Sequence, residues 1–136
     1  MNDNISFTTC GHNRYMKKPE KLPSEMRYFK SYSGRTINIE PQEKTVKDFA
    51  TYVVEGHAFY PCVLDDKEGV FKTVNRRCFE SANILAFDLE KGNHSEEKIR
   101  DTLINAGLVP AFVYRTYSHR QGNNGDRNRI VYRLPY

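Results

Sequence analysis

Two carboxylates stand one residue apart in Phe87-Asp88-Leu89-Glu90, at the end of the apolar run Ile84-Leu85-Ala86-Phe87. If that run is a strand, alternation puts Asp88 and Glu90 on one face and Leu89 on the other. Two such acids repel unless a cation lies between them. A hard ion that prefers oxygen ligands, Mg²⁺ or Mn²⁺, would relieve the repulsion, and such ions serve phosphoryl transfer. The plainer alternative is a pair of solvated acids at a strand end. A second group, Thr116-Tyr117-Ser118-His119-Arg120, brings hydroxyl, imidazole and guanidinium together in a way that suits a phosphate. A third is the stretch from Arg127 to Pro135. Strand alternation there sets Arg127, Arg129, Val131 and Arg133 on one face and Asn128, Ile130, Tyr132 and Leu134 on the other. One face is basic and the other mostly apolar. That suits a triphosphate or a nucleic-acid backbone, with an ordinary amphipathic edge strand as the alternative.

Several other chemistries are excluded. Ser118 and His119 are adjacent in sequence and lack a glycine elbow, which argues against a serine hydrolase. No GxxxxGK[ST] loop exists, so a P-loop ATPase is ruled out. Cys10, Cys62 and Cys78 are odd in number and widely spaced, so they form neither a disulfide framework nor a zinc clamp. His12, His57, His94 and His119 never form the His-apolar-His pair of a rolling-circle nuclease. No apolar run approaches the ~18 residues of a membrane span, and the first residues lack an export pattern. The expected location is the cytoplasm.

The 136 residues carry a net charge of +4, and its distribution is uneven. Residues 1–68 hold ten Lys and Arg against ten Asp and Glu, and residues 69–136 hold eleven against seven. The whole excess sits in the second half, where Arg outnumbers Lys eight to three. Arg suits bidentate phosphate contacts better than Lys does. The pattern points to a local anionic ligand rather than a uniformly basic surface.

The elements that must position these groups follow from capping and periodicity. Residues 1–44 read as an irregular segment packed on the domain, with a short strand over 5–9 and a basic loop over 11–23. Residues 45–56 predict a helix capped by Thr45, with Asp48 at the capping-box position, an apolar stripe of Val46, Phe49, Ala50 and Val53, and Gly56 as the stop. A strand is expected over 57–64, with 70–74 as its antiparallel partner. The run 83–87 reads as a strand buried on both faces. A helix opened by Asn93 and Ser95 follows, with Ile99, Leu103 and Ala106 on one face and Gly107 at its end. Strands over 111–116 and 129–134 complete the order β-α-β-loop-β. A parallel crossover would bring Asp88 and Glu90 to the same sheet edge as Ser118 and His119. A returning antiparallel strand would deliver Arg127 and Arg129 there. The expected fold class is α+β (mixed α/β), with a small central mixed sheet and flanking helices in one domain.

Taken in order, residues 84–90, 113–119 and 127–135 resemble the archaeo-eukaryotic primase superfamily, most closely the primase-polymerase domains of phage and plasmid replication proteins. The resemblance covers about residues 45–136. It implies that Asp88 and Glu90 form the acid-x-acid pair that binds catalytic Mg²⁺ or Mn²⁺, with Glu in place of the commoner second Asp. It implies that Ser118 and His119 contact the phosphates of the incoming nucleotide, His119 as part of the catalytic set. Arg120, Arg127 and Arg129 are expected near the same phosphates or the template. The implied reaction is transfer of a nucleotidyl group from an NTP or dNTP to a 3′-hydroxyl on single-stranded or primed DNA. A helicase in the same or a neighbouring chain, and a bacterial host cell, belong to the same picture. The family's third acid, after a further strand, has no counterpart here, and Asp126 precedes the arginine strand. The expectation is therefore the front part of a longer replication protein, a site completed by a partner, or a shortened relative that binds without catalysing. The rival readings are a non-catalytic module for single-stranded nucleic acid and a phage accessory protein.

Overall fold

Ile5 and Phe7 alternate with polar residues and build the first strand, β1 (Asn4–Arg14), which pairs antiparallel with β2 (Pro41–Thr45). The computed structural model describes residues 3–14, 39–66, 74–116, 119 and 125–135. Helix α1 (Val46–Val54) starts where expected. Thr45 Oγ1 accepts the Asp48 N–H at 3.1 Å, and Phe49 and Val53 are its buried positions. A cap of this kind contributes about 1 kcal/mol. Gly56, at φ 94°, turns the chain into β3 (His57–Tyr60), which pairs with β1 on the side away from β2.

The expected strand over 57–64 is thus two pieces. After a bend at 61–62, β4 (Val63–Leu64) pairs with β5 (Phe79–Ser81), which follows a single 3-10 turn at Arg76–Cys78. The partner of β4 is therefore β5. The expected partner strand at 70–74 lies, apart from residue 74, outside the described residues.

The second half forms the third sheet. Strand β6 (Ile84–Leu89) leads through a loop to helix α2 (Glu96–Asn105), capped by Ser95 Oγ accepting the Lys98 N–H at 3.1 Å. Strands β7 (Phe112–Arg115) and β8 (Asn128–Arg133) follow. The sheet order is β6-β8-β7, and β8 is antiparallel to both neighbours. Strands β6 and β7 therefore run parallel to each other with β8 inserted between them. The fold is α+β, as expected, but among the described residues the central mixed sheet is not found: the strands form three small antiparallel sheets.

The core lies between the first sheet, α1 and the third sheet. Ile5, Phe7, Phe49, Val53, Ile84, Tyr114 and Val131 are its buried members. Phe49 anchors it, with ring centroids 4.7 Å from Phe7, 4.9 Å from Phe59 and 5.8 Å from Phe112. Burying a phenylalanine this completely contributes roughly 2–3 kcal/mol. The first 44 residues are thus not merely an irregular covering, because β1 supplies two of the core side chains. Asn83 joins the two larger sheets: its Oδ1 accepts the Ser6 N–H at 2.9 Å and its Nδ2 donates to Asn4 O at 3.2 Å.

Two expectations about strand faces are corrected. Strand β6 is not buried on both faces, because it is an edge strand with its core side turned to α1 and β1. Leu85 and Phe87, on the other side, are 46% and 52% exposed. The face of β8 that carries Arg129, Val131 and Arg133 is not a free basic face, because Val131 on it is fully buried in the core. Among the described residues no helix is long and apolar enough to cross a membrane.

Candidate functional site

The C-terminal ends of β6 and β7 and the N-terminal end of β8 lie together. The register sets Asp88 opposite Arg129 and Arg129 opposite Tyr114, one step before Leu89, Asn128 and Arg115 close the ladder. All three side chains of the first row belong to the core-facing side of the sheet, in line with Ala86, Val131 and Phe112.

The Arg129 guanidinium grips Asp88 with two bonds: Nε donates to Oδ1 at 2.5 Å and Nη2 to Oδ2 at 3.1 Å. Its Nη1 donates to the Tyr114 hydroxyl at 3.2 Å, and its Cζ stands 5.8 Å from the centroid of Phe59. Burial by itself pulls the pKa of Arg129 down. The hydrogen bonds and charges of Asp88 and Tyr114 outweigh that and hold it above its ordinary value. Arg129 is therefore a permanent cation held by a carboxylate, a hydroxyl and a ring.

Glu90 follows the last residue of β6 and is exposed. The loop it opens lies against the turn that leads into β8. Gly92 holds φ 91°, which L side chains rarely adopt, and a Cβ there would press on the His94 ring, 2.6 Å from Nε2. The Asn128 side chain donates to His94 O at 3.2 Å, and a Cβ on Gly125 would sit 3.4 Å from Asn93 Oδ1.

His119 stands in the connection between β7 and β8. Its Nδ1 accepts the Arg127 N–H at 3.0 Å, which places the proton of the neutral ring on Nε2. Nε2 is buried and lies 3.8 Å from Asp126 Oδ1, beyond hydrogen-bond range. Asn128 Oδ1 is likewise buried, with no hydrogen-bond partner among the described residues. Asp126, nearly fully buried, stands beside His119.

Of the site residues expected from the sequence, Asp88, Glu90, His119, Arg127 and Arg129 fall at this one end of the sheet. Ser118 and Arg120 lie outside the described residues. Sequence reasoning missed Tyr114, Phe59, Asp126 and Asn128 as neighbours of these groups. The parity of Phe112 and Tyr114 carried a signal for Tyr114 facing the core, but only the register brings its hydroxyl to Arg129.

The fit to a divalent ion is poor in this arrangement. Both oxygens of Asp88 are held by Arg129, and Glu90 projects beyond the strand. Among the described residues no group of three or more His, Cys, Asp or Glu side chains could hold a metal ion. Compared with family models, with curated proteins and with solved structures, the chain matches none.

Proposed function

We propose that this sheet end binds the triphosphate of a nucleotide, and that the chain acts as a nucleotidyltransferase of the primase-polymerase type. The 3′-oxygen of a DNA strand forms a bond to the α-phosphorus of an NTP or dNTP. The bond to pyrophosphate breaks, and the hydroxyl proton passes to solvent. The observation that carries the reading is the meeting of Asp88, Glu90, His119, Arg127 and Arg129 at one end of one sheet. Arg127 and Arg129 suit charge neutralisation on the phosphates, which is where most of the rate in phosphoryl transfer arises.

The experiment is calorimetric titration of the chain with ATP and with dATP, each with and without Mn²⁺, for the wild type and Arg127→Ala. The expected result is affinity for a triphosphate that falls at least tenfold in the variant. A chain that binds no triphosphate in any condition overturns the reading. A second reading, a non-catalytic module for single-stranded nucleic acid, is favoured by one observation: Arg129 takes up both oxygens of Asp88. It predicts salt-sensitive binding of an oligonucleotide that survives Asp88→Ala and needs no divalent ion.

A further inference from the structure

We propose that Asp88 is a positioning residue for Arg129 and not a metal ligand, and that the guanidinium it holds receives a phosphate of the ligand without a divalent ion. The inference rests on the triphosphate reading above, and it departs from the part that the resemblance implies for Asp88. A carboxylate that ligates a cation turns a lone pair toward it. Both oxygens of Asp88 are instead engaged by Arg129, Oδ1 by Nε at 2.5 Å and Oδ2 by Nη2 at 3.1 Å. The second acid, Glu90, lies past the end of β6. Asp88 thus serves a guanidinium, and the charge that meets an anion here is that of the arginine.

Three groups fix Arg129. Asp88 sets the orientation of the guanidinium through two bonds, the Tyr114 hydroxyl accepts from Nη1 at 3.2 Å, and the Phe59 ring centroid stands 5.8 Å from Cζ. An arginine side chain has several rotatable bonds, and ordering it costs conformational entropy. Here that ordering accompanies folding, so a ligand finds the group already placed. A guanidinium has five N–H donors. Asp88 and Tyr114 take three of them, and one on each Nη remains. A phosphate, with several acceptor oxygens, suits such donors. The Arg129 side chain is 27% exposed, so solvent and a small anion reach it.

Asp88 acts on such an anion in two ways of opposite sign. Its charge repels the anion, and its two bonds keep the donors in place. The Asp88 side chain is 44% exposed, so salt screens the repulsion. Positioning acts through groups in contact and is screened much less. Positioning therefore prevails in salt, and its margin grows with ionic strength. A carboxylate that only repelled would give the reverse sign.

The test is calorimetric titration of the full chain with inorganic tripolyphosphate in the presence of a chelator, for the wild type, Asp88→Asn, Asp88→Ala, Arg129→Lys and Glu90→Gln, each first shown to unfold cooperatively in urea. The wild type is expected to bind without metal. Both Asp88 variants are expected to bind at least about threefold more weakly, with a deficit that widens from about 0.05 to about 0.3 M NaCl. Arg129→Lys keeps the charge but loses the fork, and a similar loss is expected. Glu90→Gln removes a neighbouring negative charge without touching Arg129, so its affinity is expected to equal or exceed that of the wild type. Asp88→Asn that binds as tightly as the wild type or tighter overturns the inference. So does a Glu90→Gln loss as large as that of Asp88→Asn. If neither Asp88 variant folds, the wild type and Arg129→Lys decide: a wild type that binds ATP with Mn²⁺ but not tripolyphosphate with chelator overturns the inference, as does an Arg129→Lys affinity equal to the wild type's. All these outcomes leave the triphosphate reading standing. Absence of ATP, dATP and tripolyphosphate binding in every condition removes both.

Discussion

The Asp88–Arg129 pair should be visible as a coupling energy in the stability of the chain. The perturbation is a double-mutant cycle of Asp88→Asn, Arg129→Met and the two together; Met retains much of the apolar stem of Arg. Two unit charges about 4 Å apart interact by ~4 kcal/mol at the effective dielectric of a protein surface and by ~1 kcal/mol in bulk water. The pair lies between those limits, with one side chain about a quarter exposed and the other nearly half. Fully exposed ion pairs give ~0.2–1 kcal/mol in such cycles, and a fork-to-fork geometry is the stronger kind. The expected coupling is about 1–2 kcal/mol, read from urea unfolding of the four proteins. Its salt dependence is a second check. Partly buried pairs are screened by salt much less than exposed ones, and the Arg129 side chain is only 27% exposed. More than about half of the coupling should therefore survive 1 M NaCl. A coupling below about 0.5 kcal/mol, or one that disappears in salt, would refute the picture of a locked guanidinium and return both groups to solvent.

Two further outcomes follow from groups outside the sheet end. Thr8 is fully buried, with Oγ1 donating to Cys62 O at 2.8 Å and accepting the Leu64 N–H at 2.9 Å. Thr8→Val keeps the shape but strips both bonds, so urea unfolding should show a loss of about 1.5–3 kcal/mol; a loss under about 0.5 kcal/mol would mean that these backbone groups find other partners. Burial pushes the Cys62 thiol above its ordinary pKa because it disfavours the thiolate. Iodoacetamide labelling of Cys62, followed by peptide mass, should therefore be slower in the folded than in the urea-unfolded chain at pH 8. Its rise with pH should also be displaced upward, and coincident profiles would contradict it.

The helices were legible because their signals are local. Thr45 to Asp48 and Ser95 to Lys98 are contacts between a side chain and its own backbone three residues on, and Gly56 and Gly107 adopt the positive φ that ends each helix. The strands of the third sheet were found for a similar reason, since each is a short apolar or alternating run, whereas β5 was not expected. Strand β1 was read as only a fragment of itself, because two apolar residues, Ile5 and Phe7, are a weak period-two signal. Its weight comes from partners at residues 41–45 and 57–60 that no local pattern names.

The candidate site divides in the same way. Chain order alone led to the expectation that acids, a histidine and arginines would meet at one sheet end. That expectation needed only the relative directions of three strands. Which groups touch was decided by register and by the choice of buried face. One register sets Asp88 against Arg129, and Val131 turns that face into the core. A one-residue slip would have placed Leu89 opposite Arg129 and left the carboxylate on solvent. A strand's alternation says which residues share a face, but not which face is covered, because that depends on what packs against it. Here the first sheet and α1 cover the arginine-bearing face, so an apparently free basic stripe is in part an internal ion pair beside the core.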